Sequence, residues 1–68
     1  MEPYYQILHE LRIKQNLSQK QVAEILKISQ NRYSRYEKGI NQMPLRHLAT
    51  LCRFYGVSAD FVLGLEKE

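Results

Sequence analysis

The stretch from residue 17 to 39, LSQKQVAEILKISQNRYSRYEKG, constrains the fold of this chain more than any other. Within it, Ser18 is a good N-cap for a helix, and Gln21 three residues later completes a capping box. Ser29 caps a second helix, which ends at Gly39, a residue suited to the left-handed C′ position. The stretch is therefore predicted to form two short helices joined by a tight turn. Helices this short are marginal alone in water, so they require a surface to pack against.

The rest of the chain is predicted to supply that surface as three further helices. The first covers residues 4–15, the fourth covers residues 44–55 with Pro44 at N1, and the last is capped by Ser58. No strand-like alternation occurs, so we expect an all-α fold, a compact five-helix bundle in one domain over residues 1–68. The residues expected to face its core include Val22, Ala23 and Leu26, then Tyr33 and Tyr36, then Leu45, Leu48, Ala49, Cys52 and Tyr55, and finally Val57, Phe61, Val62 and Leu63.

Basic residues are concentrated in the middle of the chain. The whole chain has a net charge of +3, but the window from Arg12 to Arg53 holds nine basic residues against Glu24 and Glu37, a net charge of +7. The other acidic residues lie near the two ends. A basic central segment indicates a surface that binds a polyanion. The alternative is that these charged side chains are only solvated, since an ordinary water-exposed face can have the same composition.

The sequence disfavours several other functional classes. The single cysteine, Cys52, is expected in the core, and its isolation suits a reducing compartment. No apolar run approaches the roughly 18 residues that a membrane span needs, and the N-terminus does not read as a signal peptide, so we predict a cytoplasmic protein. His9 and His47 have no ligand-spaced neighbours, so neither a metal nor another cofactor is expected. No arrangement of catalytic residues stands out, and the chain is not expected to be an enzyme.

The third predicted helix separates into two faces at about 100° per residue. Tyr33 and Tyr36 define the buried side, and polar side chains fall roughly opposite. Arginine can bind guanine O6 and N7, while asparagine or glutamine can bridge adenine N6 and N7. The candidate base-contacting residues are therefore Gln30, Asn31 and Arg35, with Ser34 as a smaller contributor and Arg32 beside a phosphate or a flanking base.

These segments resemble the Cro/cI-type (XRE) family of helix-turn-helix DNA-binding regulators. The similarity rests on LR at 11–12, LSQ at 17–19, VAE at 22–24, ISQNRYSRYEKG at 28–39 and GVSADFVLG at 56–64. It implies a lambda-repressor-like domain whose motif covers about residues 18–38 and whose third helix enters the major groove of DNA. It also implies phosphate-contacting positions at Gln19, Ser29 and the loop from Lys38 to Gln42, in which Lys38 and Asn41 are the candidate side chains. The geometry of the third helix adds Arg32.

The resemblance also implies a structural ion pair between Arg12 and Glu37. Glu37 falls close to the buried side of the third helix, where a carboxylate needs a partner, and a bidentate arginine supplies one. Two features depart from the family pattern. Lys27 occupies a turn position that is commonly glycine, so either the turn is strained or its geometry differs slightly. The loop at residues 40–43 has no basic residue, so phosphate contacts there would depend on backbone N–H groups and Asn41.

The function expected from these features is sequence-specific DNA binding by a transcriptional regulator, more readily a repressor than an activator. One monomer buries little surface on DNA, so a homodimer that reads a palindromic operator is expected. Its contact surface is predicted to be the last helix, with Phe61, Leu63 and Leu65. No site for a small-molecule ligand is evident in the sequence. The alternative is a protein-interaction module, such as an antitoxin-like partner, on the same fold.

Overall fold

A computed structural model describes residues 2–65, and in this range the chain forms five α-helices and no strand. The helices are α1 (Tyr4–Lys14), α2 (Gln19–Leu26), α3 (Gln30–Glu37), α4 (Leu45–Tyr55) and α5 (Ala59–Val62). Helix α3 packs against α2 and α1, while α5 packs against α4 and α1. The predicted all-α fold class is therefore confirmed. No helix among these residues is both long and apolar enough to span a membrane.

Serine side chains define the starts of the three shortest helices. Ser18 Oγ accepts from Gln21 N at 3.1 Å, and Gln21 Oε1 accepts in return from Ser18 N at 2.8 Å, so the predicted capping box is confirmed. Ser29 and Ser58 cap α3 and α5 in the same way. Pro44 was predicted at N1 of α4, but it is the N-cap, because its ψ of 148° is extended and α4 begins at the next residue.

The turn between α2 and α3 passes through a left-handed residue. Lys27 has φ 59° and ψ 42°, the conformation expected where a glycine is common. Hydrogen bonds from Lys27 N to Glu24 O and from Ile28 N to Ala23 O close the end of α2 around it. The turn therefore retains its tight geometry, with the strain carried by a lysine.

The core lies between all five helices. Its fully buried side chains include Leu8, Val22, Tyr33, Leu51 and Val62. The predicted inward face of α4 was partly wrong, since Leu45 is 80% exposed and Ala49 is exposed, whereas His47 and Leu51 are buried. The buried stripe of α4 follows Leu51 and so includes a histidine that reads as polar in the sequence. Because leucines lie on both sides of α4, the apolar pattern did not distinguish an inward face with Leu45 from one with Leu51.

The prediction for the last segment was also partly wrong. Val62 is fully buried and Val57 packs partly against the core. Phe61 and Leu63 are each 42% exposed and do not close the core as predicted. Because α5 has one turn only, one side chain of that turn, Val62, faces inward and its neighbours face outward.

Two tyrosines of α1 fix the loop that follows α3. The Tyr4 hydroxyl accepts from Met43 N at 3.1 Å. The Tyr5 ring packs on Gly39, whose φ is +76°, and a Cβ built there would lie 2.5 Å from the ring. The loop at residues 38–43 is thus attached to α1 at both ends, which holds the C-terminal end of α3 in place.

Candidate nucleic-acid interface

Helix α3 presents a polar face on the side opposite its two buried tyrosines. Tyr33 and Tyr36 are buried in the core. Of the candidate base-contacting residues, Ser34 is half-buried and the other three are exposed, namely Gln30, Asn31 and Arg35. The two neighbouring basic residues, Arg32 and Lys38, are exposed as well. The structure therefore places all of these side chains on the accessible part of one short helix and its C-cap.

The N-terminal ends of α2 and α3 contain two of the predicted phosphate contacts. Ser29 Oγ accepts from Arg32 N at 3.1 Å, and this cap leaves the hydroxyl proton able to donate to another acceptor. The amide nitrogen of Gln19 donates to Glu37 Oε1 at 3.2 Å. Gln19 and Lys38 also border one open groove of about 400 Å³ beside α1.

Glu37 is the centre of a partly buried polar group that we call the Glu37 cluster, formed by Glu37, His9, Arg12 and Gln19. Arg12 contacts the carboxylate twice, with Nε 2.8 Å from Oε2 and Nη2 2.8 Å from Oε1. Its Nη1 donates to Leu17 O at 2.7 Å. The ion pair expected between Arg12 and Glu37 is therefore present, in bidentate form. It joins α1 to α3, and Gln19 adds α2.

The Glu37 cluster keeps its carboxylate ionised. The side chain of Glu37 is 5% exposed, and burial alone would raise its pKa. Hydrogen bonds from Arg12, and then from His9 and Gln19, outweigh burial and lower the pKa of Glu37 to about 2. His9 Nδ1 lies 2.8 Å from Glu37 Oε1, and because a carboxylate can only accept, that nitrogen carries a proton.

The loop after α3 uses its backbone donors internally. Ile40 N and Asn41 N both donate to Arg35 O, at 3.0 and 3.3 Å, and Gly39 N donates to Tyr36 O at 3.0 Å. These three N–H groups are therefore paired within the chain. The side chain of Asn41 lies against Arg35. The orientation of its amide is assigned from its neighbours: with the oxygen towards Arg35 Nε, at 3.2 Å, and the nitrogen towards Ile40 O, at 3.3 Å, both ends have a partner.

A positive edge lies between α3 and the start of α4. His47 is buried, its ring is 6.1 Å from that of Tyr36, and its Nε2 has no hydrogen-bond partner among residues 2–65. Burial, followed by the charges of Arg46 and Arg32, lowers the pKa of His47. The shift favours the neutral form of the imidazole.

Sequence reasoning missed two contributors to this region. His9 was considered only as a metal ligand, although its position three residues before Arg12 on α1 places both side chains on one face of that helix. The contact between Asn41 and Arg35 depends on the path of the loop, for which the sequence carries no periodic signal. No group of three or more His, Cys, Asp or Glu side chains that could hold a metal ion occurs within the described part of the chain.

Comparison with known proteins identifies relatives along most of the chain. A family profile described as Helix-turn-helix matches residues 8–62. The chain is 40% identical over 65 residues to the uncharacterized HTH-type transcriptional regulator YobD of Bacillus subtilis (strain 168), which covers 96% of this chain and 58% of YobD. It is 38% identical over 61 residues to the HTH-type transcriptional regulator AnsR of the same organism, covering 90% of this chain and 53% of AnsR.

A third relative comes from Vibrio cholerae, the cryptic phage CTXphi transcriptional repressor RstR. It is 36% identical over 50 residues, covering 74% of this chain and 45% of RstR. The chain spans about half the length of the curated relatives it matches. No solved structure matches it. With a family profile over residues 8–62 and these relatives, the chain belongs to the XRE-type helix-turn-helix family of DNA-binding transcriptional regulators.

Proposed function

We propose that this chain is a sequence-specific transcriptional repressor that inserts α3 into the major groove of DNA. The observation that carries the proposal is the exposed polar face of α3, held outward by two buried tyrosines, Tyr33 and Tyr36. An α-helix fits the major groove, and the residues near its N-terminus point at the base edges. The name of one relative, the repressor RstR, supports repression over activation. The proposed role is binding and involves no catalytic step.

The proposed base contacts follow from side-chain chemistry. Arg35 would bind the O6 and N7 atoms of a guanine with two N–H groups. Gln30 and Asn31, in the first turn of α3, would each bridge the N6 and N7 atoms of an adenine. Ser34 is half-buried, so we propose it as a smaller contributor than the three exposed side chains.

The proposed phosphate contacts surround the base-reading face. Arg32 and Lys38 are exposed and supply positive charge. Ser29 retains its hydroxyl proton as a donor, and Gln19 lies at the first position of α2, where backbone N–H groups and the helix dipole favour an anion. These contacts would set the position of α3 in the groove without reading sequence.

We propose further that the DNA-bound form is a homodimer on a palindromic operator. The proposed dimer surface is that of Phe61, Leu63 and Leu65, which are 42%, 42% and 65% exposed. Two such copies would read half-sites about 34 Å apart, or a multiple of that distance. Sedimentation velocity with a palindromic duplex selected by the protein from a random pool should give two copies per palindrome, and Leu63→Glu should reduce this to one. A single copy of the unaltered protein on a palindrome would contradict the dimer.

The function itself is tested by selection of bound duplexes from a random pool, followed by a salt titration. We expect an enriched palindrome, and an affinity that falls log-linearly with salt at a slope of about −2 or steeper per protomer, since at least Arg32 and Lys38 displace counterions. An unenriched pool would overturn the proposal. Tight binding of a protein partner with little response to salt would instead favour a protein-interaction module.

A further inference from the structure

We infer that Asn41 is a positioning residue that holds the Arg35 side chain for base recognition, and that it is not the phosphate contact that its place in the loop suggests. The inference deepens the proposed function and rests on it. It concerns how one side chain of the recognition helix is oriented before DNA arrives.

The backbone brings the two residues together. After α3 ends, the chain folds back so that Ile40 N and Asn41 N both donate to Arg35 O, at 3.0 and 3.3 Å. Tyr5 and Tyr4 attach the loop to α1 on either side of this point, at Gly39 and Met43. The place of Asn41 relative to Arg35 is therefore set by main-chain hydrogen bonds and by packing on another helix.

Both ends of the Asn41 amide are used within the protein. In the amide orientation that gives both ends a partner, the oxygen accepts from Arg35 Nε at 3.2 Å, and the nitrogen donates to Ile40 O at 3.3 Å. The opposite orientation would place the amide nitrogen against the donor Arg35 Nε and the amide oxygen against the acceptor Ile40 O, so the two neighbours together favour the orientation in which the acceptor faces the arginine. An amide whose oxygen is occupied by Arg35 and whose nitrogen donates to Ile40 O has one N–H left for DNA.

The occupied nitrogen determines which edge of Arg35 remains for DNA. A guanidinium offers five N–H donors in a planar fork, and a bond at Nε leaves the four N–H groups of Nη1 and Nη2. Those two nitrogens together match guanine O6 and N7. An arginine that is oriented before binding also loses less rotamer freedom on the DNA. Asn41 should therefore strengthen discrimination at the base pair that Arg35 reads and have little effect elsewhere.

The test uses the selected duplex and single-base variants of it. Arg35→Ala first identifies the base pair that Arg35 reads, as the position where its preference is lost. The measured quantity is the ratio of affinities for the preferred and the altered base at that position, about 5- to 150-fold for a bidentate arginine. We expect Asn41→Ala to lower this ratio by about 2- to 10-fold, the effect of one lost hydrogen bond, with unchanged affinity for unrelated DNA.

Two further variants separate positioning from phosphate contact. Asn41→Asp keeps an acceptor for Arg35 Nε, so it should preserve the ratio while weakening binding to every sequence through charge repulsion. Gln42→Ala removes the neighbouring amide of the same loop, which has no bond to Arg35, and should leave the ratio unchanged. In the free protein, the Nε–H proton of Arg35 should exchange with solvent more slowly than that of Arg46, and Asn41→Ala should abolish the difference.

An equal loss of affinity on all sequences for Asn41→Ala would make Asn41 a phosphate contact and overturn the inference, with the proposed function intact. The inference would also be overturned if Asn41→Ala left the ratio of affinities for the preferred and the altered base unchanged. The same holds if Asn41→Asp lowered this ratio as much as Asn41→Ala does. If the unaltered protein prefers no sequence, the proposed function and the inference fail together.

Discussion

Lys27 occupies a backbone conformation that most side chains avoid. With φ 59° and ψ 42° it lies in the left-handed region, where a Cβ atom crowds the following carbonyl oxygen. Asn16, at φ 57°, ends α1 in the same region, but asparagine tolerates it better. The strain at Lys27 is maintained because both neighbouring helices, α2 and α3, pack into the core. Replacement of this lysine should therefore change stability without changing the fold.

Lys27→Gly is expected to raise the free energy of unfolding by about 1 kcal/mol, because the strain of a Cβ in the left-handed region is removed. Asn16→Gly is the matched control and should give a smaller gain. Guanidinium chloride unfolding of both variants measures the difference. Equal gains, or a loss at Lys27, would show that the turn is not strained.

His47 should make the protein sensitive to mild acid. Its pKa is lowered in the folded protein, by burial first and then by Arg46 and Arg32, so folding favours the neutral ring. The free energy of unfolding is therefore unaffected by His47 above the unfolded pKa near 6.5. It declines as the pH falls below that value, because protonation of His47 favours the unfolded chain. His47→Leu should remove the decline between about pH 7 and pH 5 in thermal unfolding. A variant that keeps the full decline would place its origin at another group.

At the scale of elements, the Glu37 cluster joins three helices through one carboxylate. Glu37 belongs to α3, and its three partners come from the other two helices: Arg12 and His9 from α1, and Gln19 from α2. Each partner has a nitrogen within 3.2 Å of Glu37 Oε1. Loss of one partner leaves a buried charge, which is more costly than loss of the whole group. The cluster is thus expected to hold α3 in its orientation against α1 and α2.

Arg12→Ala is expected to lower the free energy of unfolding by about 3–5 kcal/mol, enough to unfold much of a chain this small. The double variant Arg12→Met with Glu37→Gln should be less damaging than Arg12→Ala, because no buried charge remains. Urea unfolding with circular dichroism measures each. A double variant less stable than Arg12→Ala would contradict the argument.

Glu37 also predicts an acid transition. Its pKa falls from 4.5 to about 2 on folding, so the carboxylate contributes stability above pH 4.5 that is lost as the pH falls from about 5 towards 2. The contribution is up to about 3 kcal/mol. Glu37→Gln should flatten stability across this window, and Glu24→Gln, at an exposed carboxylate of α2, should not. Parallel curves for Glu37→Gln and the unaltered protein would contradict the assignment.

Helix starts were predictable from the sequence because their signals are local. Ser18, Ser29 and Ser58 each act within three residues, and the structure has all three caps. The inward face of α4 was less predictable, since leucines on both sides of the helix left its rotation to the packing of Leu51 and His47. A single-turn α5 has too few residues for a periodic signal, which is why its outward residues were assigned to the core.

At the scale of the whole molecule, the bundle is arranged to hold one short helix. Tyr33 and Tyr36 anchor α3 in the core, the Glu37 cluster anchors its last turn, and the loop after it is attached to α1. The polar face of α3 was predictable because 3.6-residue periodicity separates it from the tyrosines. The contacts of Asn41 and His9 were not, because each joins segments that only the tertiary fold brings together.

The most direct measurement of the central claim is the binding free energy of Arg35→Ala on the selected duplex and on every single-base variant of it. We expect a loss of about 1–3 kcal/mol on the preferred sequence, confined to one base pair in each half-site, with non-specific binding unchanged. A loss of equal size on all sequences, or no loss, would show that the exposed face of α3 does not read DNA bases.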